Sequence, residues 1–265
     1  MSYRVTVLFE DDDVLVINKP AGLVVHSDGR TKESTLVDWI LKKYPKIKGV
    51  GDHISSELNA KRSTLSASDL RPGIVHRLDR ETSGALIIAK NQTALFSMKR
   101  QFKKQDVRKT YHAFVYGLVK HDEGVIDRPI SRSRANPVLW SATRGRKGEE
   151  REAITDYRVI KRGDSFTFLE LSPRTGRTHQ IRVHLKAINY PVVCDRLYAP
   201  KREPALGFKR LALHSRAVSL LLPRNGKRIT VEAPYPKDFK EAIKILKSKT
   251  RNLRPNDGSV GQAKS

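Results

Sequence analysis

The chain has 265 residues, with 52 lysines and arginines against 28 aspartates and glutamates and a formal charge of +24, a length that fits one large domain or two small ones with a sizeable core. Its single cysteine, Cys194, excludes an internal disulfide and a cysteine-based zinc site, and no apolar run approaches the ~20 residues of a membrane helix. So large a positive excess makes a polyanion the expected partner, with nucleic acid favoured over an anionic membrane surface or charge kept for solubility.

The N-terminus carries no signal-peptide core and turns acidic at Glu10 to Asp13, so a cytoplasmic protein is expected. Residues 4–9 and 14–18 read as two short strands around that acidic turn, and Lys19-Pro20-Ala21-Gly22 breaks the pattern. Ser34 is placed to cap a helix that runs to about Tyr44, with Leu36, Ile40 and Tyr44 on one face and Pro45 as its stop. Residues 46–73 are polar, lack a period and read as a long surface loop. An apolar strand follows at 85–89, then a helix over 93–105 with Leu95, Met98 and Phe102 inward and Lys99, Arg100, Lys103 and Lys104 outward. Residues 111–116 are aromatic and β-branched, as in a strand. Residues 131–152 gather six arginines and lysines around Trp140 and read as a basic loop or loose hairpin. A strand at 166–171 ends in a turn marked by Pro173 and Gly176, and Thr178 is expected to cap a helix with Ile181, Leu185 and Ile188 on one stripe. Strands at 211–222 and 228–233 and a helix at 237–246 close the body. The predicted division is therefore a domain of residues 1–246 and a basic, disordered tail of 247–265. Strands and helices without regular βα alternation indicate an α+β fold.

Three segments concentrate chemistry. His76-Arg77-Leu78-Asp79-Arg80-Glu81-Thr82-Ser83-Gly84 sets ionisable residues directly ahead of an apolar strand, at a sheet edge where sites are commonly built. A solvated turn held by Arg–Asp pairs is the plainer reading of the same residues. Gly176-Arg177-Thr178-His179-Gln180-Ile181-Arg182-Val183-His184-Leu185 interleaves arginines and histidines with apolar positions at a helix start. That suits an anion or a carboxylate, or an ordinary amphipathic helix. Lys109-Thr110-Tyr111-His112-Ala113 opens a strand with a tyrosine, a residue that is usually core or rim in that setting. No G-x-G-x-x-G or P-loop sequence occurs. No histidine pair has metal-ligand spacing beside a carboxylate, since His179 and His184 are five apart. Neither a metal nor a nucleotide cofactor is expected.

Taken together, these segments resemble the RluA-type RNA pseudouridine synthases. The stretch from His76 to Gly84 resembles that family's central signature, and Pro20-Ala21-Gly22-Leu23-Val24-Val25-His26 its first motif. Lys109-Thr110-Tyr111, Gly176 to His184 and Leu213-His214-Ser215 resemble the later ones, in the family's order, over roughly residues 4–245. The resemblance implies a mixed, largely antiparallel β-sheet with flanking helices and loops around a central cleft. It implies the isomerisation of uridine to pseudouridine in structured RNA, ribosomal or transfer, without cofactor or metal. By resemblance Asp79 is the catalytic carboxylate. Tyr111 stacks on the target base, its hydroxyl assisting proton removal from ring carbon five, and Arg182 pairs with the aspartate. Arg77 is expected to fill the gap left by the flipped base, and His76, Arg80, Arg177 and His179 to join it in RNA binding or base flipping. The pattern begins at about Tyr3, so the S4-type RNA-binding domain of many relatives is not expected. Substrate choice then falls to the catalytic domain, the 46–73 and 131–152 stretches and the tail. A monomer is expected. The alternative is an RNA-binding or ribosome-assembly protein that kept the fold without catalysis, and the presence of Asp79, Tyr111 and Arg182 favours the enzyme.

Overall fold

The computed structural model describes residues 3–26, 33–51, 71–136, 139–143 and 146–250. In chain order the elements are β1 (Thr6–Glu10), β2 (Val14–Lys19), α1 (Leu36–Lys43), β3 (Ser83–Ala89), α2 (Gln92–Lys103), β4 (Arg108–Tyr116), β5 (Glu123–Asp127) and β6 (Ile130–Ser133). They continue with β7 (Trp140–Ser141), β8 (Arg146–Arg151), β9 (Ile154–Arg162), β10 (Phe166–Pro173), α3 (Gln180–Ala187), β11 (Leu213–Leu221), β12 (Arg228–Glu232) and α4 (Lys237–Thr250). This is the expected α+β architecture. A nine-stranded sheet runs β1-β2-β3-β11-β4-β10-β9-β5, with β12 on the second half of β11. Among the described residues only the β3–β11 pair is parallel.

The apolar runs of β2 and β3 are buried on both faces, and their alternation divides the core. Leu15, Ile17, Leu86 and Ile88 enter the larger cluster. Val14, Val16, Ala85 and Ile87 meet Met98 of α2 on the other face. At the start of β3 the main chain comes so close to β11 that a Cβ on Gly84 would stand 2.1 Å from the Ser215 carbonyl oxygen. Gly84 also has φ +115°, so only glycine fits where the two strands meet. The loop carrying Asp79 enters the sheet at this junction.

Several sequence expectations shift. α1 is capped by Thr35, not Ser34: the Thr35 hydroxyl accepts from the Asp38 N–H, and the Asp38 carboxylate accepts from the Thr35 N–H, a capping box. α3 begins at Gln180 behind His179, whose φ of 57° is left-handed, and Thr178 does not cap it. The Gln180 side chain braces the turn before the helix, accepting from the Arg177 N–H and the Thr175 hydroxyl at 2.9 and 2.7 Å. The basic 131–152 stretch holds the expected hairpin, β6 paired antiparallel with β7, and β8 on the other edge of β6 extends it to a separate three-stranded sheet in the order β7-β6-β8. It rests on α3 through Ile130, Ala142, Ala153, Val183 and Ala187. β5 and β9 were not foreseen, and the helix expected to end at 246 runs on to Thr250. A 3-10 turn over Pro45–Gly49 opens the expected 46–73 loop. Residues 52–70 and the tail beyond 250 lie outside the described residues.

Candidate active site

The loop from His76 to Thr82 is held by cations and carbonyl oxygens from three sides. Lys19, at the end of β2, is fully buried and donates from Nζ to the carbonyls of Pro20, Leu23 and Arg80 at 2.9, 2.8 and 3.0 Å. Burial pushes this ammonium down to about 7, against the pull of the Asp79 and Glu81 charges. The Gly22 N–H donates to the Arg80 carbonyl at 2.8 Å, so the turn at Pro20 and Gly22 docks on the Asp79 loop. From the other side Arg210 donates to the Glu81 carbonyl at 3.3 Å while its Nε and Nη2 hold Asp238 of α4 at 2.7 and 3.0 Å.

Asp79 projects from this loop into a cavity of about 590 Å³ that is also bordered by Tyr111, Arg182, Lys109, Arg77 and His179. This is a volume typical of small-ligand sites, and it is the expected central cleft. Arg182, on the first turn of α3, donates from Nη1 to Asp79 Oδ2 at 3.2 Å. Its other edge is committed elsewhere: Nε and Nη2 donate to the two oxygens of Asp195, each at 2.8 Å. Burial pulls the Arg182 guanidinium down, but the hydrogen bonds and charge of Asp195, then those of Asp79, outweigh it and hold it above the usual arginine range. The sequence paired Arg182 with Asp79 alone; in the structure the bidentate partner is Asp195.

Tyr111 opens the buried part of β4, its ring in the main core. Burial, then the Asp79 charge, raises its phenol, with Ser215 hydrogen-bonding in opposition. The hydroxyl is therefore protonated at neutral pH. His179 places Nε2 3.9 Å from Asp79 Oδ1 and Nδ1 2.9 Å from the Tyr198 hydroxyl. That hydroxyl accepts from the Trp140 N–H at 3.2 Å. The hydroxyl thus joins His179 to the backbone of β7. Burial foremost, and Arg182 with it, lowers the imidazole against the pull of Asp79 and keeps it neutral.

The remaining expected RNA contacts separate. Arg77 is exposed at the cavity. Arg177 also borders it, with Nε donating to the Glu152 carbonyl at 3.0 Å. His76 borders the cavity, but its Nε2 accepts from the Ile87 N–H at 2.9 Å. Burial, with the Lys109 charge, pushes it down to about 3. It braces the loop against β3 from the cavity wall. Arg80 lies outside the cavity, pairing with Glu33 at 2.8 Å and donating to the Gly22 carbonyl at 3.1 Å. It closes the loop against the first motif while staying exposed. His179 borders the cavity between Asp79 and Tyr198. Lys109, half-buried and donating to the Thr175 carbonyl at 3.2 Å, is pushed down to about 8 by burial. Asp195, Tyr198 and Lys19 were missed as site residues. The one local sign for Asp195 is its turn chemistry: its Oδ1 accepts from the N–H groups of Leu197 and Tyr198, both at 3.1 Å. Among the described residues no group of three or more His, Cys, Asp or Glu side chains is gathered to hold a metal, and no helix is long and apolar enough to cross a membrane.

A family model described as RNA pseudouridylate synthase matches residues 13–187. The chain is similar to the uncharacterized RNA pseudouridine synthase YlyB of Bacillus subtilis, 37% identical over 241 residues, covering 91% of this chain and 72% of that one. It is similar to ribosomal large subunit pseudouridine synthase D of Haemophilus ducreyi, 34% identical over 253 residues, covering 91% and 70%. Among solved structures, human RNA pseudouridylate synthase domain containing 1 matches with a TM-score of 0.67 at 26% identity, over 88% of this chain and 84% of that one.

Proposed function

The chain belongs to the RNA pseudouridylate synthase family, isomerases of uridine in RNA, and we propose that Asp79 is its catalytic carboxylate acting on a uridine flipped out of structured RNA. The observation that carries this reading is the meeting of Asp79, Arg182 and Tyr111 at one cavity large enough for a nucleoside. Base and ribose enter together, because the bond from ribose to ring nitrogen one is hidden while the base is stacked. That bond breaks, the base turns, and ribose rejoins at carbon five. The proton lost from carbon five is balanced by one gained at nitrogen one. Arg182 directs the Asp79 carboxylate through its Nη1 hydrogen bond. The Tyr111 ring offers a stacking face, and its protonated hydroxyl offers a hydrogen bond, not a phenolate base. Arg77, exposed at the cavity, fills the gap that the flipped base leaves.

The substrate to test first is ribosomal RNA, supported by the relative named for the large ribosomal subunit, with transfer RNA the second choice. Binding rests on phosphate contacts along the basic sheet, where Arg134, Lys147 and Arg151 are exposed and the Arg132 guanidinium lies 4.2 Å over the Trp140 ring. In this reading residues 1–246 are the catalytic unit and 247–265 add charge. The protein acts as a cytoplasmic monomer. The test uses RNA tritiated at uridine carbon five. Wild type releases tritium, and Asp79→Asn binds RNA without releasing it; release by Asp79→Asn well above a no-enzyme control rejects the assignment. Mapping pseudouridine in ribosomal and transfer RNA, with and without the gene, identifies the target.

A further inference from the structure

We propose that Lys109 anchors a phosphodiester group of the nucleotide that enters this cavity, and so fixes how far along β4 the base lies on Tyr111. The proposal rests on the reading of the cavity as the place of a flipped uridine, and adds to it the group that holds the RNA backbone there.

Its basis is a half-buried ammonium with unfilled donors. A lysine carries three N–H donors. Lys19 uses all three on carbonyls and is further drawn by the Asp79 and Glu81 charges. Among the described residues Lys109 donates to the Thr175 carbonyl alone, at 3.2 Å. Burial is what pushes it down, and no carboxylate pulls the other way. His76, the titratable neighbour that its charge pushes down, is itself neutral. On another flank a Cβ at Gly176 would stand 3.7 Å from Lys109 Nζ. The φ of Gly176 lies outside the left-handed region, so its backbone does not demand glycine. Its effect is to leave that side of the ammonium bare at the cavity wall. A cation that has lost water without gaining a counter-charge is unfavourable in a fold, and the cavity is where its counter-charge enters.

The position suits a phosphate. Lys109 and Tyr111 are two apart on β4, so their side chains leave the same face about 6.6 Å apart along the strand, and both border the cavity. With the base on Tyr111, a backbone phosphate of the same nucleotide falls within reach of the lysine. Uracil and ribose are uncharged at neutral pH, and the phosphodiester is the anion that a nucleotide within RNA carries. Among the described residues that border the cavity Asp79 is the only carboxylate, and Arg182 is engaged with it. Arg77, Lys103 and Arg177 border the cavity too, but they are exposed. They add to the attracting field, while water already solvates them and a new ion pair there gains little. Lys109 differs because much of its hydration is already lost. A phosphate contact carries no sequence information, so Lys109 sets the position of the nucleotide and not the choice of its neighbours.

The experiment is single-turnover tritium release from total RNA of cells lacking the gene, tritiated at uridine carbon five, with enzyme concentration and salt varied. Lys109→Met is expected to raise the half-saturating enzyme concentration roughly 10-fold, the scale of a hydrogen bond to a charged group. The rate at saturation should fall less, as for a contact made before and during the reaction alike. The dependence of log half-saturation on log salt should become shallower by about 0.7, the value for one phosphate of single-stranded RNA. Lys109→Arg keeps the charge and should recover the slope and most of the affinity. The urea midpoint of Lys109→Met should not fall below that of wild type, because one hydrogen bond is lost together with an unpaired, partly desolvated charge. Wild-type half-saturation and slope in Lys109→Met overturn the proposal. So does a lowered urea midpoint with the loss confined to the rate at saturation, which is how a mere brace for the Thr175 turn would behave. If Lys109→Met fails to fold, Lys109→Gln, which keeps a donor for Thr175 and removes the charge, is read in the same way, and failure of both to fold overturns the proposal. An inactive Asp79→Asn beside an unaffected Lys109→Met overturns this proposal only, whereas tritium release by Asp79→Asn overturns the underlying reading.

Discussion

Replacing Arg182 by methionine removes the one cation between two carboxylates while roughly preserving side-chain volume. The larger consequence falls on Asp195, whose side chain is 0% exposed; that of Asp79 is 17% exposed and can recover water. Breaking a buried ion pair from one side typically costs ~3–5 kcal/mol. Asp195 still accepts from two backbone N–H groups, which places the loss near the lower end, about 3 kcal/mol. For a domain of this size that corresponds to a fall in Tm of about 6–12 °C. The assay is urea unfolding of wild type and Arg182→Met at neutral pH. A penalty under about 1 kcal/mol refutes the view that Arg182 compensates a buried Asp195 charge. Arg182→Lys should be more stable than Arg182→Met yet poorly active, because an ammonium can reach Asp195 but cannot fork between the two carboxylates.

Tyr111→Phe keeps the stacking face and removes a hydroxyl that is protonated at neutral pH; RNA binding should persist while tritium release falls by roughly 10²-fold, and near-normal release leaves the tyrosine only its ring. Burial pushes His214 down to about 4 and His76 to about 3, so below the usual imidazole value of ~6.5 the unfolded state takes up protons that the native state refuses. Each should then remove about 1.4 kcal/mol of stability per pH unit from ~6.5 down to its native value, and a urea midpoint that is flat from about pH 6.5 to 5 contradicts this. Deleting residues 251–265, beyond α4, removes three arginines and lysines and one aspartate, a change of −2. The slope of log affinity against log salt should become shallower by about 0.7 for each phosphate of single-stranded RNA that the shortened chain no longer neutralises, and an unchanged slope shows that the tail does not touch RNA.

The central strands, the helices and the family were legible in the sequence because their signals are local. The run Ala85 to Ala89, the stripe of Leu95, Met98 and Phe102, and the ordered motifs around Asp79, Tyr111 and Arg182 are patterns of neighbouring residues, and periodicity reads such patterns directly. The strand signals of β5 and β9 were weak. Both carry charged and exposed residues in a register set by their partners, and pairing, not propensity, makes them strands. The basic stretch became a sheet for the same reason: packing against α3 supplies the core that its own sequence lacks.

Within the candidate site the sequence by itself determined which chemical groups are present, and the tertiary structure decided how they are shared. Arg182 and Asp79 are 103 residues apart and Asp195 is a further 13 beyond Arg182. No local rule could say which carboxylate takes the guanidinium fork. Likewise nothing around Lys19 marks it as an ammonium buried among three carbonyls, one of them 61 residues away. The same holds for the bonds of His76 to β3 and of Arg80 to the first motif, which no neighbouring residue announces. A polar side chain takes its role from the partners it meets after desolvation, and burial forces each such group to find one. Those partners come from distant strands that only the closed sheet brings together.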